Sequence, residues 1–397
     1  MLIIGFNDIN NIIKVYKNEE VNMSNINDYL LWRGDIPINK KFKFNEIDSM
    51  ILARFSYLLF SRINIAPKET IASISERMKN FKNEEFLYNG DKELITNLGE
   101  SKRFKNMIVT DYVEINSKEK ENQFSAITIH ISRKEIYISF MGTDNTINGW
   151  KEDFNMAFME NVPCQIAGKE YIERISKKYR YKKIRIGGHS KGGNVAVYSA
   201  ITANKKIQNK IIKIYNYDGP GFSKNTINQF ENSEIINKIE SYIPQDSIIG
   251  RLLNHKEKMT VILSTEKGIL QHDIYSWQVL KDDLIKLEKN TNVSENIDKT
   301  LTDWLETTTV EQRKIFVDVV FELLYSTDAN TFGEIYKNLP INITKILKKY
   351  SQTSTEDKKT ITEMIKIMMS CYMNIIKKRE NVKADKKYFI KFRKNKN

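Results

Sequence analysis

The stretch 184–200, IRIGGHSKGGNVAVYSA, decides how this 397-residue chain is read. Ile184, Arg185 and Ile186 alternate as a short strand does, and the small residues after Gly193 read as a helix running to about Ala203. Between them lies Gly188-His189-Ser190-Lys191-Gly192, a G-x-S-x-G pattern. A turn this tight has no room for side chains at its two flanking positions, hence the glycines. It also pushes the serine hydroxyl out at the strand's C-terminal edge. Four of the chain's sixteen glycines fall between 187 and 193. The stretch is expected to be a nucleophile elbow, with Ser190 as nucleophile and Gly188, His189 and Gly192 framing it. A close-packed strand–helix turn with no chemistry would need the same glycines, so the reading depends on partners elsewhere.

On either side, hydrophobic period marks the elements. Ile127, Ile129 and Ile131 alternate with Thr128 and His130, predicting a strand with one buried face. Residues 136–140 predict a second strand, 169–179 a helix, and 211–217, 239–243 and 259–263 further strands. Strands alternating with helices at these lengths predict a mostly parallel sheet with helices on both faces. Upstream, Asn45 precedes a helical pattern of Ile47, Met50, Ile51 and Phe55. After about 282 the strand pattern stops. Thr309 and Gln312 make a capping box for one helix, and Ser354 caps another with Ile361, Met364, Ile365 and Met368 on one face. The expected organisation is a catalytic domain over 1–280, a helical region over 281–376 and a basic tail over 377–397.

A serine hydroxyl is a poor nucleophile near neutral pH and needs a base. After a nucleophile elbow the chain order is nucleophile, acid, histidine. His255 and His272 both follow Ser190 at a distance. His272 lies in the loop after the last predicted strand, where the base belongs, whereas His255 reads as a helix end. Asp246 follows strand 239–243 and Asp218 follows strand 211–217, so both are geometrically permitted as the acid. Asp246, after the second strand beyond the elbow, is the expected one and Asp218 the alternative. Asp273 is expected at the surface and His130 in a structural role. Two backbone N–H groups must face the developing oxyanion. Lys191, after the nucleophile, supplies one, and Thr143, at the end of strand 136–140, supplies the other. The Lys191 side chain is expected to be a surface charge or a contact for an anionic substrate group.

Composition narrows the class. The chain is 41% hydrophobic and 28% charged, enough to build a core. Its net charge is +13, but residues 377–397 carry ten basic and two acidic residues, so the excess belongs mostly to the tail. No specific nucleic-acid partner is therefore expected. In the tail, Tyr388, Phe389, Ile390 and Phe392 alternate with lysines and Arg393, which suits peripheral contact with an anionic membrane. Cys164 and Cys371 are too far apart in sequence for a disulfide scaffold, and the four histidines show no paired zinc spacing, so neither a metal nor a cofactor is expected. No apolar run reaches the ~18 residues of a membrane span. The first twenty residues lack a basic start and a long apolar run, and a cytoplasmic location is expected.

With SFMGTDNTINGWKEDFNMAF (139–158), IPQDSIIGRLL (243–253) and KGILQHDIYSW (267–277), the elbow stretch resembles the class 3, fungal-type, lipase branch of the α/β-hydrolases. More narrowly, it resembles a bacterial family of lipase-like proteins of largely undefined substrate. The resemblance spans about residues 25–280 and implies an α/β-hydrolase fold with a helical extension. Phe140, Gly142, Thr143, Trp150 and Asp153 match that family's oxyanion segment, with Met141 in place of its arginine. The resemblance also implies a lid helix after the oxyanion residue. Ile147, Trp150, Phe154 and Phe158 form a continuous apolar stripe, which fits either a lid or ordinary core packing. The expected function is hydrolysis of lipid or other acyl esters through a Ser-His-Asp set. The alternative is a non-catalytic module of the same fold that binds a membrane surface or a protein partner.

Overall fold

The computed structural model of the chain describes residues 24–144, 146–229, 233–288, 292–371 and 373; the basic tail and its expected membrane contact lie outside them. Strands β1 (Lys68–Thr70), β2 (Ile108–Ser117), β3 (Asn122–His130), β4 (Glu135–Phe140), β5 (Lys183–His189), β6 (Ile211–Tyr217), β7 (Ile239–Pro244) and β8 (Met259–Ile262) lie side by side in chain order. From β4 to β8 every pairing is parallel, and β1 to β4 form an antiparallel wing. A small hairpin, β9 (Val279–Leu280) and β10 (Asp283–Leu284), leads into β11 (Lys286–Leu287), which pairs antiparallel with β8. The sheet therefore runs to Leu287, past the expected boundary at 280. Two-residue strands carry no period, which is why β9 to β11 leave no mark in the sequence.

Alternation along the strands sends side chains to two cores. On β4, Ile136, Ile138 and Phe140 join one cluster, with Ile184, Ile186 and Ile214, beneath helices Pro163–Lys178 and Lys191–Thr202. Tyr137 faces the other way, with Ile127, Ile129, Tyr215 and Tyr217, under helix Glu46–Phe55. Both faces of β3 are buried rather than one: Thr128 is fully covered, its hydroxyl hydrogen-bonded to Tyr171 Oη at 2.8 Å. Small hydroxyl residues pass for surface in a sequence yet bury well once paired.

Asn45 caps helix Glu46–Phe55 and accepts from Asp48 N, as its position predicts. Every residue from Ile47 to Phe55 is buried, so the helix is enclosed on all sides. Its two internal charges are compensated, Asp48 by Arg103 and Arg54 by Asp91. Beyond the sheet come helices Asn292–Thr307, Val310–Tyr325, Phe332–Lys337 and Leu339–Gln352, and one over 355–371. Thr309 and Gln312 form the expected reciprocal cap, at 2.9 and 3.1 Å. Ser354 Oγ accepts from Asp357 N at 3.0 Å. Of the four residues expected on one face, Ile361 and Met364 are buried, whereas Ile365 is exposed. The central parallel sheet, covered by helices on both faces and carrying a serine at the end of β5, is an α/β-hydrolase fold. No helix of the described residues is long and apolar enough to cross a membrane.

Candidate active site

β5 ends at His189 and the next helix begins at Lys191, so Ser190 alone turns the chain, at φ 58° and ψ −134°. Non-glycine residues hold such a conformation only when their surroundings over-determine it. Here Ser190 N donates to Tyr217 O on β6 at 2.9 Å, and Ser190 O accepts from Gly193 N at 2.9 Å. A Cβ on Gly188 would lie 2.3 Å from the Gly192 carbonyl, and one on Gly192 would lie 2.2 Å from Phe140 O. Turn, helix start and the end of β4 are thus in backbone contact. Gly142, just past β4, is equally confined: an added Cβ would meet Tyr57 Oη at 2.1 Å and Ser190 Cβ at 3.2 Å. That contact brings the Thr143 segment beside the serine.

His272 lies at the end of a 3-10 turn, Gly268–His272, and its Nδ1 is 2.6 Å from Asp218 Oδ2. The residue beside the imidazole is therefore Asp218, not the expected Asp246. Asp218 follows β6 directly at φ 53°, a left-handed position that aspartate tolerates better than most residues. The loop after β7, where Asp246 sits, serves Asp218 instead: Ser247 Oγ and, at 3.1 Å, Gly250 N both donate to Asp218 Oδ1. Asp246 Oδ2 accepts from Gln271 Nε2 at 2.9 Å, and Asp246 N donates to Gln271 Oε1 at 2.8 Å. Asp246 thus holds the residue before His272. Donation from Nδ1–H to the carboxylate leaves His272 Nε2 as an acceptor. His255 pairs with Glu257 at 3.1 Å and does not line the site, and His130 bonds Thr110 and Lys182 at the far end of β3. Asp273 is half-buried rather than a surface residue and accepts from Tyr275 N.

His189 proves to be a support for His272. Its Nε2 donates to His272 O at 2.7 Å, and its Nδ1 lies 3.1 Å from Tyr57 Oη. Burial, then the neighbouring His272 and Arg54, push its pKa well below the usual histidine value, so the ring stays neutral with one donor and one acceptor. Arg54 Nε and Nη2 bind Asp91 at 2.7 and 2.8 Å, and Tyr275 Oη reaches the same carboxylate at 2.8 Å. The buried pair thereby ties helix Glu46–Phe55 to the loop just after His272. Tyr57 and Tyr88, both over the Arg54 guanidinium, line the site. Apart from Arg54 and Tyr57, three residues apart, these contacts join residues far apart along the chain and leave no local signature in sequence.

Thr143 donates from Oγ1 to Asp153 Oδ2, which fixes the segment whose N–H is to face the oxyanion. Burial pushes the Asp153 carboxyl up to about 6, against the opposing charge of Lys191 and the Thr143 hydrogen bond. Lys191, as first residue of its helix, has a backbone N–H with no intrahelical acceptor. Its side chain is neither at the surface nor open to substrate. Nζ is buried and donates to Gln123 Oε1 at 2.6 Å, Glu152 Oε2 at 3.0 Å and Gln123 O at 3.1 Å. Burial works against that ammonium, but Glu152 and Asp153 outweigh it and hold it charged. Because Glu152 belongs to helix Ile147–Asn155, the pair pins that helix to the elbow.

Ser190, His272, Thr143 and Asp153 open onto one cavity of about 240 Å³, walled mostly by apolar side chains. The stripe that fits either a lid or core packing turns most of its residues inward, whereas Phe154 is exposed. Ile147, Trp150 and Phe158 pack with Val317, Val320 and Phe321 of helix Val310–Tyr325, and Phe154 lies 5.6 Å from the Phe321 ring. In this arrangement Ile147, Trp150 and Phe158 pack against the C-terminal helices, and Phe154 keeps an exposed ring.

A family model described as Mbeg1-like, a lipase-like family, matches residues 98–322, more than half of the chain. The chain belongs to the Mbeg1-like family. The match takes in the elbow, His272 and helix Asn292–Thr307, and ends within helix Val310–Tyr325. No curated protein matches the chain. Among solved structures, the inhibitor complex of a fungal lipase is 14% identical, with 54% of this chain and 77% of that one covered and a TM-score of 0.36. A mutant form of MDLA from Penicillium cyclopium is 12% identical, with 63% and 87% covered and a TM-score of 0.37. Lipase II from Rhizopus niveus is 13% identical, with 54% and 82% covered and a TM-score of 0.32.

Proposed function

We propose that this Mbeg1-like protein is a serine ester hydrolase acting on lipid or other acyl esters, with Ser190, His272 and Asp218 as its triad. The observation that carries the reading is the Asp218–His272 hydrogen bond, with His272 and the strained Ser190 facing one apolar cavity. His272 Nε2 takes the Ser190 proton as Oγ attacks the ester carbonyl carbon. The Thr143 and Lys191 amides hold the oxyanion that forms. Collapse expels the alcohol, which receives the proton from His272, and leaves an acyl-serine. Water then attacks the acyl carbon, with His272 again as base, and releases the carboxylic acid. Asp218 holds the imidazole tautomer and balances its transient positive charge. Asp153 keeps the Thr143 segment in place, and His189 fixes the backbone of the base. The apolar cavity favours an acyl group over a charged or sugar moiety at the serine.

The test is labelling by a fluorophosphonate probe together with turnover of p-nitrophenyl butyrate. The full chain is expected to be labelled once and to turn the ester over, and Ser190→Ala to do neither. Absence of both in the folded, unsubstituted chain favours the non-catalytic module.

A further inference from the structure

The C-terminal helices stand outside the sheet, yet they supply a wall of the cavity at Ser190. Leu301, Trp304 and Leu305 come from helix Asn292–Thr307, Phe316 and Val317 from helix Val310–Tyr325, and Met368 from the helix over 355–371. All six are apolar, whereas the polar lining residues, among them Thr143, Asp144, Asp153, Ser190, Lys191 and His272, all come from the sheet side. The cavity thus has a reactive floor and an apolar wall opposite.

The wall is keyed to the floor. Ile147 N donates to Asn330 O at 2.8 Å, and Thr146 forms an antiparallel bridge with Thr331. Lys151 pairs with Asp318 at 3.2 Å, and Ile147, Val317 and Phe321 share one cluster. These contacts begin three residues after Thr143, so the wall's distance from the reacting carbon is set by the segment that carries the oxyanion donor. The wall also has a core of its own, in which Trp304 Nε1 donates to Met364 O at 3.3 Å and Trp304 packs with Met364 and Cys371.

We infer that the C-terminal helices are the acyl-chain gauge of this enzyme: Trp304, Phe316, Val317 and Met368 stop the chain whose carbonyl sits at Ser190, and so select medium-length acyl groups. This rests on the hydrolase reading. A cavity of about 150 Å³ lined by aliphatic and aromatic side chains holds benzene. The 240 Å³ here has room for an extended apolar group of about six to ten carbons by the same scale. Each methylene seated against apolar side chains raises affinity about fourfold, and the gain ends where the chain meets the wall.

The experiment has two arms, both on the full chain. In the first, p-nitrophenyl esters from acetate to dodecanoate are turned over by the unsubstituted chain, Val317→Phe and Met368→Ala. In the second, fatty acids of four to twelve carbons are titrated calorimetrically into the same three chains carrying Ser190→Ala, which needs no catalysis. Specificity and affinity are expected to rise about fourfold per methylene and level off near eight carbons. Val317→Phe is expected to bring the plateau in by about two methylenes, a loss of about fifteenfold at the longest bound chain. Met368→Ala is expected to move it outward. Leu305→Phe replaces Val317→Phe if the latter fails to fold by circular dichroism. Length profiles that coincide in all folded variants, or no binding of any fatty acid, overturn the inference. Shifted binding profiles without ester turnover or probe labelling uphold the gauge and reject the hydrolase.

Discussion

Replacing Asp218 by asparagine separates the two carboxylates that sequence order allows. Asp218 is 1% exposed and its carboxylate meets three donors: His272 Nδ1 at 2.6 Å, Gly250 N at 3.1 Å and the Ser247 hydroxyl. An asparagine in the same place keeps an oxygen for Ser247 and Gly250 but turns an NH2 toward His272. The imidazole must then accept at Nδ1 and carry its proton on Nε2, and in that tautomer it cannot take the serine proton. Loss of the right tautomer in a triad costs about ten-thousand-fold in turnover, or about 5 kcal/mol at 1.36 kcal/mol per decade. Asp246→Asn keeps an acceptor for Gln271 Nε2 and leaves the Asp218–His272 contact in place, so its cost is expected to be far smaller, on the order of 1 kcal/mol or fivefold. The assay is kcat/KM on p-nitrophenyl butyrate with the rate of fluorophosphonate labelling, and urea unfolding verifies that both variants fold. A ten-thousand-fold loss from Asp246→Asn with near-normal activity in Asp218→Asn would refute the assignment.

Gly142→Ala is expected to cost at least about a hundredfold in kcat while leaving the chain folded, because its Cβ would collide with Tyr57 Oη and push the Thr143 segment off the serine; kinetics with circular dichroism check it. Arg54→Met leaves the Asp91 carboxylate buried and uncompensated and is expected to destabilise the fold by about 3–5 kcal/mol in urea unfolding. Asp153 titrates at about 6 in the fold against an ordinary value of 3.8, so its buried charge opposes folding above pH 6 and that penalty fades as the pH falls toward 4. Asp153→Asn is accordingly expected to raise stability at pH 7.5, on the order of 1–3 kcal/mol, with the gain shrinking by pH 4; equal gains at the two pH values in urea unfolding would remove the linkage.

Local chemistry decides much of this protein before any folding is known. The glycines around Ser190 are demanded because a Cβ on either would lie only 2.2–2.3 Å from a neighbouring backbone oxygen, so the elbow had to be legible in the residues themselves. The same holds for caps such as Asn45 and Thr309, whose partners lie three residues away. The central strands announce themselves by period, because each buries side chains on a fixed face. Other features depend on which distant residues meet. Asp218 and Asp246 each follow a parallel strand in an equivalent way, and only the loop after β7, which donates to Asp218 while Asp246 turns to Gln271, separates them. Lys191 carries no mark of burial, since the Glu152 that compensates it is 39 residues away on another helix. The C-terminal helices show an apolar face in sequence, but not that this face closes the cavity at Ser190. A helix's period states that it must be covered, and the partner that covers it is chosen only when the whole chain packs.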